Sequence, residues 1–346
     1  MDGADDLYLV DHPDSTEELP LLDIGPYLRG EPGAKKRIAA ELREISSTVG
    51  FFYLAGHGVE QSLIDQTFEE ARRLHALSAE AKARIPKVER VGYHSLEQLI
   101  SDSPAAGTPA ASLTNTYVLH RDLAPDHPRM VPNHPFWGPN VWPEDLPGFR
   151  ENVLHYYKTI EALGKKMMPL WSASLDLPDD YFDKAFSDPY MSIRLAHYPP
   201  QKEVGNRKYG ISPHSDNSTM TILAQANVPG LAVEMPSGHW RIADIVPGTF
   251  MVNSGNTMVR FTNGRYLSTK HRVINKANVD RYSIPVFFGP HPDAMIETVP
   301  TCLGPKGETE FPPIKYEDLM QWYFIDRGLD NKAEGPDTEQ RGRWVE

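Results

Sequence analysis

The sequence predicts a mainly β fold, a sandwich or barrel, with flanking helices and an α-rich region before it. In the first half of the chain, apolar residues recur at helical spacing. From about residue 190 the period changes to short alternating runs, separated by turn signals such as VPG, PSG and TNGR. Short strands at near-regular spacing are typical of sandwiches and barrels.

The N-terminal half should contain a short buried strand, LPLLDI at 19–24, and three helices. The first helix, KKRIAAELREISSTV, is ended by Gly50, as a glycine just past a helix end should do. An apolar β-like run, FFYLAGHG, follows, and a second helix has Leu74 on its apolar face. A third helix over about 150–176 contains Pro169, which should kink or split it.

The β half is predicted to consist of short strands that follow one another closely. They lie in MSIRLAHY, TMTILAQ, GLAVEM, HWRIA, TFMVNS, MVRF, STKHRVI and RYSIPVFF. In TMTILAQ, alternate residues should face opposite sides of the sheet. A last helix is expected in KYEDLMQWYFIDR, before a polar tail.

Composition narrows the class of protein. The chain of 346 residues carries a net charge of −12, which argues against nucleic acid or a membrane surface as a partner. The single cysteine, Cys302, allows no intramolecular disulfide and no thiolate cluster, so a reducing cytoplasm is expected. We find no signal peptide and no apolar stretch long enough to cross a membrane. A small-molecule partner is expected, and the oligomeric state stays open.

A candidate metal site begins in PHSDNSTMTIL. His214 and Asp216 would share a face if a strand starts here, and imidazole plus carboxylate suits a two-histidine, one-carboxylate iron(II) site. A polar turn in which Asp216 caps local N–H groups is the competing interpretation. His271, in STKHRV, supplies a possible third ligand, although a histidine there could also be a polar residue on a half-buried strand.

A candidate anion site follows in DRYSIPVFF. Arg281 and Ser283 share a strand face, and an inward arginine is costly unless it meets an anion. A guanidinium binds a carboxylate bidentately, and the serine hydroxyl adds a donor. The alternative is an outward arginine in a surface ion pair of little energetic consequence.

The order of these signals resembles the iron(II)/2-oxoglutarate-dependent dioxygenases of the isopenicillin N synthase-like family. LPLLDIGPYL and GFFYLAGHGV are similar to the N-terminal region of that family, and RLAHYPP at 194–200 to the strand before its first ligand. Residues 230–274 run parallel to the family pattern almost continuously. Two positions depart from it, Ala196 where plant members have asparagine and Asn256 where an aspartate is frequent.

The resemblance implies a double-stranded β-helix, or jelly roll. We predict one integrated domain with four segments: a loose arm at 1–18, a helical and mixed region at 19–185, a jelly-roll catalytic core at 186–300, and a C-terminal helix and tail at 301–346. The resemblance also implies that iron(II) is held by His214, Asp216 and His271, and the distal carboxylate of 2-oxoglutarate by Arg281 and Ser283, with help from Tyr198.

The implied reaction oxidises an unactivated C–H bond of a small molecule by hydroxylation, desaturation or cyclisation. It converts 2-oxoglutarate and O₂ to succinate and CO₂. Two alternatives remain at this point, a 2-oxoglutarate-independent iron oxidase of the same fold and a non-catalytic ligand-binding member. Candidate substrate residues are Tyr93, Asn115, Tyr117 and Phe287. His57, His197 and His239 are expected to be structural.

Overall fold

The computed structural model describes residues 17–85, 91–95, 113–124, 126–127, 129–130, 138–200, 209–275 and 278–326. Within these ranges the helices are α1 (Gly25–Leu28), α2 (Ala34–Thr48), α3 (Gln61–His75), α4 (Ala79–Ala83), α5 (Phe149–Ser174), α6 (Asn256–Phe261) and α7 (Tyr316–Asp326). The strands are β1 (Leu21–Asp23), β2 (Phe51–Ala55), β3 (Gly92–His94), β4 (Asn115–Leu119), β5 (Tyr190–Tyr198), β6 (Ile211–His214), β7 (Met220–Gln225), β8 (Leu231–Glu234), β9 (Trp240–Ile242), β10 (Phe250–Ser254), β11 (His271–Val273), β12 (Arg281–Gly289), β13 (Met295–Ile296) and β14 (Ile314–Lys315).

Two sheets form the β core. The larger has eight strands in the order β1-β2-β10-β7-β12-β5-β4-β3, and the smaller has four in the order β6-β11-β8-β9. From β5 onward the chain passes back and forth between the sheets, so that β5, β12, β7 and β10 are neighbours in one and β6, β11, β8 and β9 in the other. This winding is a double-stranded β-helix, which confirms the predicted jelly roll.

The main core lies between the larger sheet and the helices. Alternate residues of β7, Met220, Ile222 and Ala224, are buried there with apolar side chains of α2, α3 and α5. Thr221 and Leu223 point to the opposite face, toward the smaller sheet. Strand β7 therefore has one side in the core and one side facing the space between the sheets.

Most predicted elements are present, and two differ. The predicted strand MVRF is instead part of α6, which begins after Gly255 and buries Met258 and Phe261. Four apolar-rich residues do not distinguish a strand from one helical turn. Helix α5 passes through Pro169 without being split, because residues on both sides of the proline, including Met167 and Trp171, are fully buried.

Gly50 follows α2 as predicted. Its φ of +72° is in the left-handed region, and its N–H donates to the carbonyl of Ile45. A Cβ atom on this residue would lie 2.6 Å from Oγ1 of Thr269, so the turn leaves no room for a larger residue.

Within the described ranges, no helix is both long enough and apolar enough to cross a membrane. The predicted loose arm at 1–18 falls almost wholly outside the described residues, as does the polar tail. The division into four segments and the cytoplasmic location stay predictions.

Candidate active site

Two histidines meet across the smaller sheet. The antiparallel pairing of β6 and β11 places His214 directly opposite His271, and their ring centroids are 4.3 Å apart. His214 ends β6 rather than beginning a strand, so Asp216 lies in the segment that connects β6 to β7. The expectation that both residues sit on the same strand is therefore wrong, although their side chains converge all the same.

The imidazoles are oriented by their own backbone. Nδ1 of His214 lies 2.8 Å from the carbonyl of Ser212, and Nδ1 of His271 lies 3.1 Å from the carbonyl of Thr269. A carbonyl can only accept, so each Nδ1 donates its proton, and in the neutral imidazole Nε2 is then the nitrogen that can bind a metal. Both Nε2 atoms lie 3.7 Å from Oδ1 of Asp216.

Asp216 is held by its other oxygen. Oδ2 accepts hydrogen bonds from Oγ1 of Thr221 at 2.5 Å and from Nδ2 of Asn253 at 2.9 Å. Burial acts to raise the pKa of this carboxyl, but His271 and His214 and the two hydrogen bonds outweigh it and keep the pKa below its usual value. Oδ1 is thus left ionised and directed at the two imidazoles.

The donor set fits a first-row metal ion. Among the described residues, His214, Asp216 and His271 form a group whose ligand atoms all lie within 4.8 Å of one another. Two imidazoles and one carboxylate are the ligands of non-haem iron(II) oxygenases, in which the remaining coordination positions stay open. The carbonyls and side chains that orient these ligands are of the kind that tunes metal affinity.

Replacing Asn253 with alanine should weaken iron(II) binding by about 10–100-fold, because Asp216 loses one of the two donors that fix its orientation. The measurement is a metal titration of purified variants. Asn152→Ala is the matched control, since Nδ2 of Asn152 bonds a carboxylate oxygen of Glu70 at 2.7 Å in a part of the fold remote from the triad. Equal losses in the two variants would contradict the role given to Asn253.

Arg281 lies at the other end of the cavity. It is 1% exposed, its Nε donates to the carbonyl of Val228, and its buried Nη1 has no hydrogen-bond partner. Among the described residues it has no carboxylate within ion-pair distance. Its guanidinium lies 4.7 Å from the ring centroid of Tyr198, and Oη of Tyr198 lies 3.4 Å from Oγ of Ser283.

Because Arg281 is 1% exposed, its charge is held away from water, and this burial lowers the pKa of the guanidinium. Such a charge is stable only when an anion completes the site. The unpaired Nη1, the Ser283 hydroxyl and the Tyr198 hydroxyl are donors suited to a carboxylate. The residues therefore fit the carboxylate end of 2-oxoglutarate.

The metal triad and the arginine line a single cavity between the two sheets. The empty space inside it, including the part open to solvent at the mouth, is about 670 Å³. Apolar side chains, among them Phe51, Leu223 and Leu231, form much of its wall. The triad and Arg281 face each other across this space. Its apolar walls strengthen electrostatic interactions, so the space favours ordered ligands over bulk water.

Of the four predicted substrate residues, only Phe287 lines this cavity. Asn115 and Tyr117 lie on β4 with their side chains on the far face, where Tyr117 is fully buried and donates to the carbonyl of Val141. Tyr93 is buried beside His75. Side chains alternate along a strand, so Thr114 and Thr116 face the cavity in place of their neighbours.

Besides these two threonines, three polar residues of the cavity are absent from the sequence-based set. Thr221 and Asn253 hold Asp216, and Arg194 lines the cavity from β5. Arg194 could have been found, because it is a charged residue in the apolar strand MSIRLAHY, four positions before Tyr198 and hence on the same face. Asn253 gave no such signal.

The histidines expected to be structural lie outside the cavity lining. His57 lies 3.2 Å from the carbonyl of Gly248, and His197 pairs with Asp280 on the outer face of the larger sheet. His239 contacts Ser237 near β9.

Comparison with known proteins places the chain in a family. Residues 189–290 match the 2OG-Fe(II) oxygenase superfamily, and residues 19–145 match the N-terminal domain described as non-haem dioxygenase in morphine synthesis. The curated 2-oxoglutarate-Fe(II) type oxidoreductase hxnY of Emericella nidulans is 33% identical over 308 residues, with 87% of this chain and 88% of the relative covered.

Solved structures with a similar fold come from related proteins. A full-length Neurospora crassa protein in complex with alpha-KG is 25% identical, with a TM-score of 0.76 and coverage of 89% of this chain and 97% of that one. A 2OG-Fe(II) oxygenase family protein from Caulobacter crescentus is 27% identical, with a TM-score of 0.79 and coverage of 90% and 100%.

The chain therefore belongs to the 2OG-Fe(II) oxygenase superfamily. It is an oxidoreductase, a dioxygenase whose cofactor is iron(II) and whose cosubstrates are 2-oxoglutarate and O₂. The predicted family, fold and cofactors are confirmed, and the comparisons give no support to the 2-oxoglutarate-independent or non-catalytic alternatives.

Proposed function

We propose that His214, Asp216 and His271 are the iron(II) ligands. We further propose that Arg281 and Ser283 bind the distal carboxylate of 2-oxoglutarate, and that Tyr198 orients the serine hydroxyl. The observation that carries the proposal is the convergence of Oδ1 and two Nε2 atoms in the same cavity as a buried, unpaired guanidinium nitrogen.

The substrate is proposed to be a small molecule whose C–H bond is oxidised in this cavity. When bound, iron(II) with 2-oxoglutarate supplies the activation of O₂, and the cosubstrate leaves as succinate and CO₂. The chain contributes by holding Asp216 in one orientation through Thr221 and Asn253 and by excluding water with the apolar wall. Phe287, at the same end of the cavity as Thr221, is proposed to contact the substrate.

The test is O₂ consumption by the iron(II) protein with and without 2-oxoglutarate, together with succinate formation. We expect slow succinate release that needs both iron(II) and 2-oxoglutarate, since these oxygenases can turn over the cosubstrate without substrate. Protein loaded with manganese(II) in place of iron is the control. O₂ consumption without succinate would favour a 2-oxoglutarate-independent oxidase, and absence of both in the presence of candidate substrates would favour a binding protein.

A further inference from the structure

Arg194 is a cation on the cavity wall that pairs with no carboxylate among the described residues. It lies on the inner face of β5, a strand flanked on both sides by β12 and β4, and it is the exposed residue among those that line the cavity. Among the described residues its guanidinium has neither a hydrogen bond nor an ion pair. The guanidinium carbon lies 4.8 Å from the ring centroid of Phe287.

The position of this contact is informative. Arg281 on β12 is paired with Tyr198 on β5, and Arg194 lies four residues before Tyr198. At about 3.3 Å per residue, the two arginines are therefore attached ~13 Å apart along the strand direction. Phe287 pairs across β12 and β7 with Thr221, which bonds Asp216. Arg194 therefore leans away from the 2-oxoglutarate anchor and toward the end of the cavity beside the metal triad.

Charges in the cavity do not balance without a further anion. The two positive charges of iron(II) and the one of Arg281 are matched by Asp216 and the two carboxylates of 2-oxoglutarate. Arg194 leaves one positive charge over, inside a chain whose net charge is −12. Arg194 is exposed to solvent and needs no partner for its own stability, so its charge is available to pair with a single negative charge on the substrate.

We propose that Arg194 and Phe287 form a subsite for the carboxylate of a small-molecule acid with an apolar body. The guanidinium pairs with the carboxylate, and the Phe287 ring holds the guanidinium in place by a cation–π contact. Pro285 and Leu223 are paired across β12 and β7 and lie side by side on the cavity wall, where they contact the apolar body of the acid. This inference rests on the proposed function, because it names the substrate class of the same cavity.

The test compares acids with their uncharged amides. Phenylpropionate and decanoate, and the amides of both, are titrated calorimetrically into the iron(II) protein under anaerobic conditions with saturating 2-oxoglutarate. We expect the wild type to prefer each acid over its amide, and Arg194→Gln to lower acid affinity by about tenfold or more while amide affinity is unchanged. Arg194→Lys keeps the charge and should restore part of the preference.

Arg72→Gln is the matched control. Arg72 also lies over an aromatic ring of β12, that of Tyr282 at 5.9 Å, but on the outer face of the sheet, so this variant should bind the acids like the wild type. Equal affinity for acids and amides, or an acid preference that survives Arg194→Gln, would overturn the proposal. So would acid affinity that falls as 2-oxoglutarate is raised, since the acids would then be competing at Arg281.

The same titration separates the two levels of inference. Binding of 2-oxoglutarate is measured first, before any acid is added. A protein that fails to bind 2-oxoglutarate contradicts the proposed function itself, whereas normal 2-oxoglutarate binding with no acid preference contradicts only the role of Arg194.

Discussion

Replacing His271 with alanine should abolish iron(II) binding at micromolar metal and eliminate succinate formation. His271 supplies one of three converging donors, and two donors cannot hold the ion against water and buffer. We expect a loss of affinity well beyond the ~10–100-fold that removal of an orienting partner costs. Metal content after dialysis and an iron(II) titration measure the first effect, and succinate release measures the second.

A matched histidine provides the control. His57 and His271 are both 7% exposed, and both rings pack against a phenylalanine, Phe250 for His57 and Phe51 for His271. His57→Ala should therefore remove a similar amount of packing while iron binding is retained. Unchanged iron affinity in His271→Ala, or equal losses in both variants, would show that the triad is not the metal site.

Replacing Arg281 with glutamine should raise the concentration of 2-oxoglutarate needed for half-maximal turnover by about two orders of magnitude. The variant loses charge-assisted hydrogen bonds that contribute ~1.5–3 kcal/mol each. In the ligand-free protein the effect should be small. The variant removes a buried cation with an unpaired Nη1, which is favourable, but it also loses the bond from Nε to the carbonyl of Val228, so we expect a melting temperature close to that of the wild type.

The two effects can be read in one thermal experiment. In the wild type, 2-oxoglutarate at a hundred times its dissociation constant should stabilise the fold by about 2.7 kcal/mol, and in Arg281→Gln at the same concentration the shift should nearly vanish. Arg260→Gln is the control. Arg260 is also buried, burial lowers its pKa to about 10, and it bonds the carbonyl of Pro312 outside the cavity.

Arg260→Gln should lower the melting temperature without 2-oxoglutarate, because the fold loses the bond from Arg260 to the carbonyl of Pro312. The shift that 2-oxoglutarate causes should remain. A full ligand-induced shift in Arg281→Gln would place the cosubstrate carboxylate elsewhere.

The residues that the sequence identified are those whose chemistry restricts the choice of amino acid. A metal ligand must be imidazole or carboxylate and an inward cation must meet an anion, so His214, Asp216, His271 and Arg281 could be picked out by type and order. The register of the strands, which decides the face on which each side chain lies, was harder to predict. Asn115 and Thr116 are both polar neighbours on a strand buried on both faces, and nothing local decides which of them faces the cavity.

Residues that act by orienting another side chain were the hardest to identify from the sequence. Asn253 ends an apolar run within β10, and only the pairing of β10 with β7 brings it opposite Thr221, where it reaches Asp216. Whether the segment MVRF forms a strand or a helix also depends on tertiary packing. Short segments of this kind are decided by their surroundings and not by their own pattern.

The alternation along β12 separates two kinds of selection. Arg281, Ser283, Pro285 and Phe287 face the cavity, whereas Ile284, Val286 and Phe288 belong to the main core. A substitution at Pro285 or Phe287 changes what the cavity accepts without opening a void beneath the helices. New substrate preferences can therefore arise, in nature or by design, one strand position at a time on a scaffold whose folding they leave almost untouched.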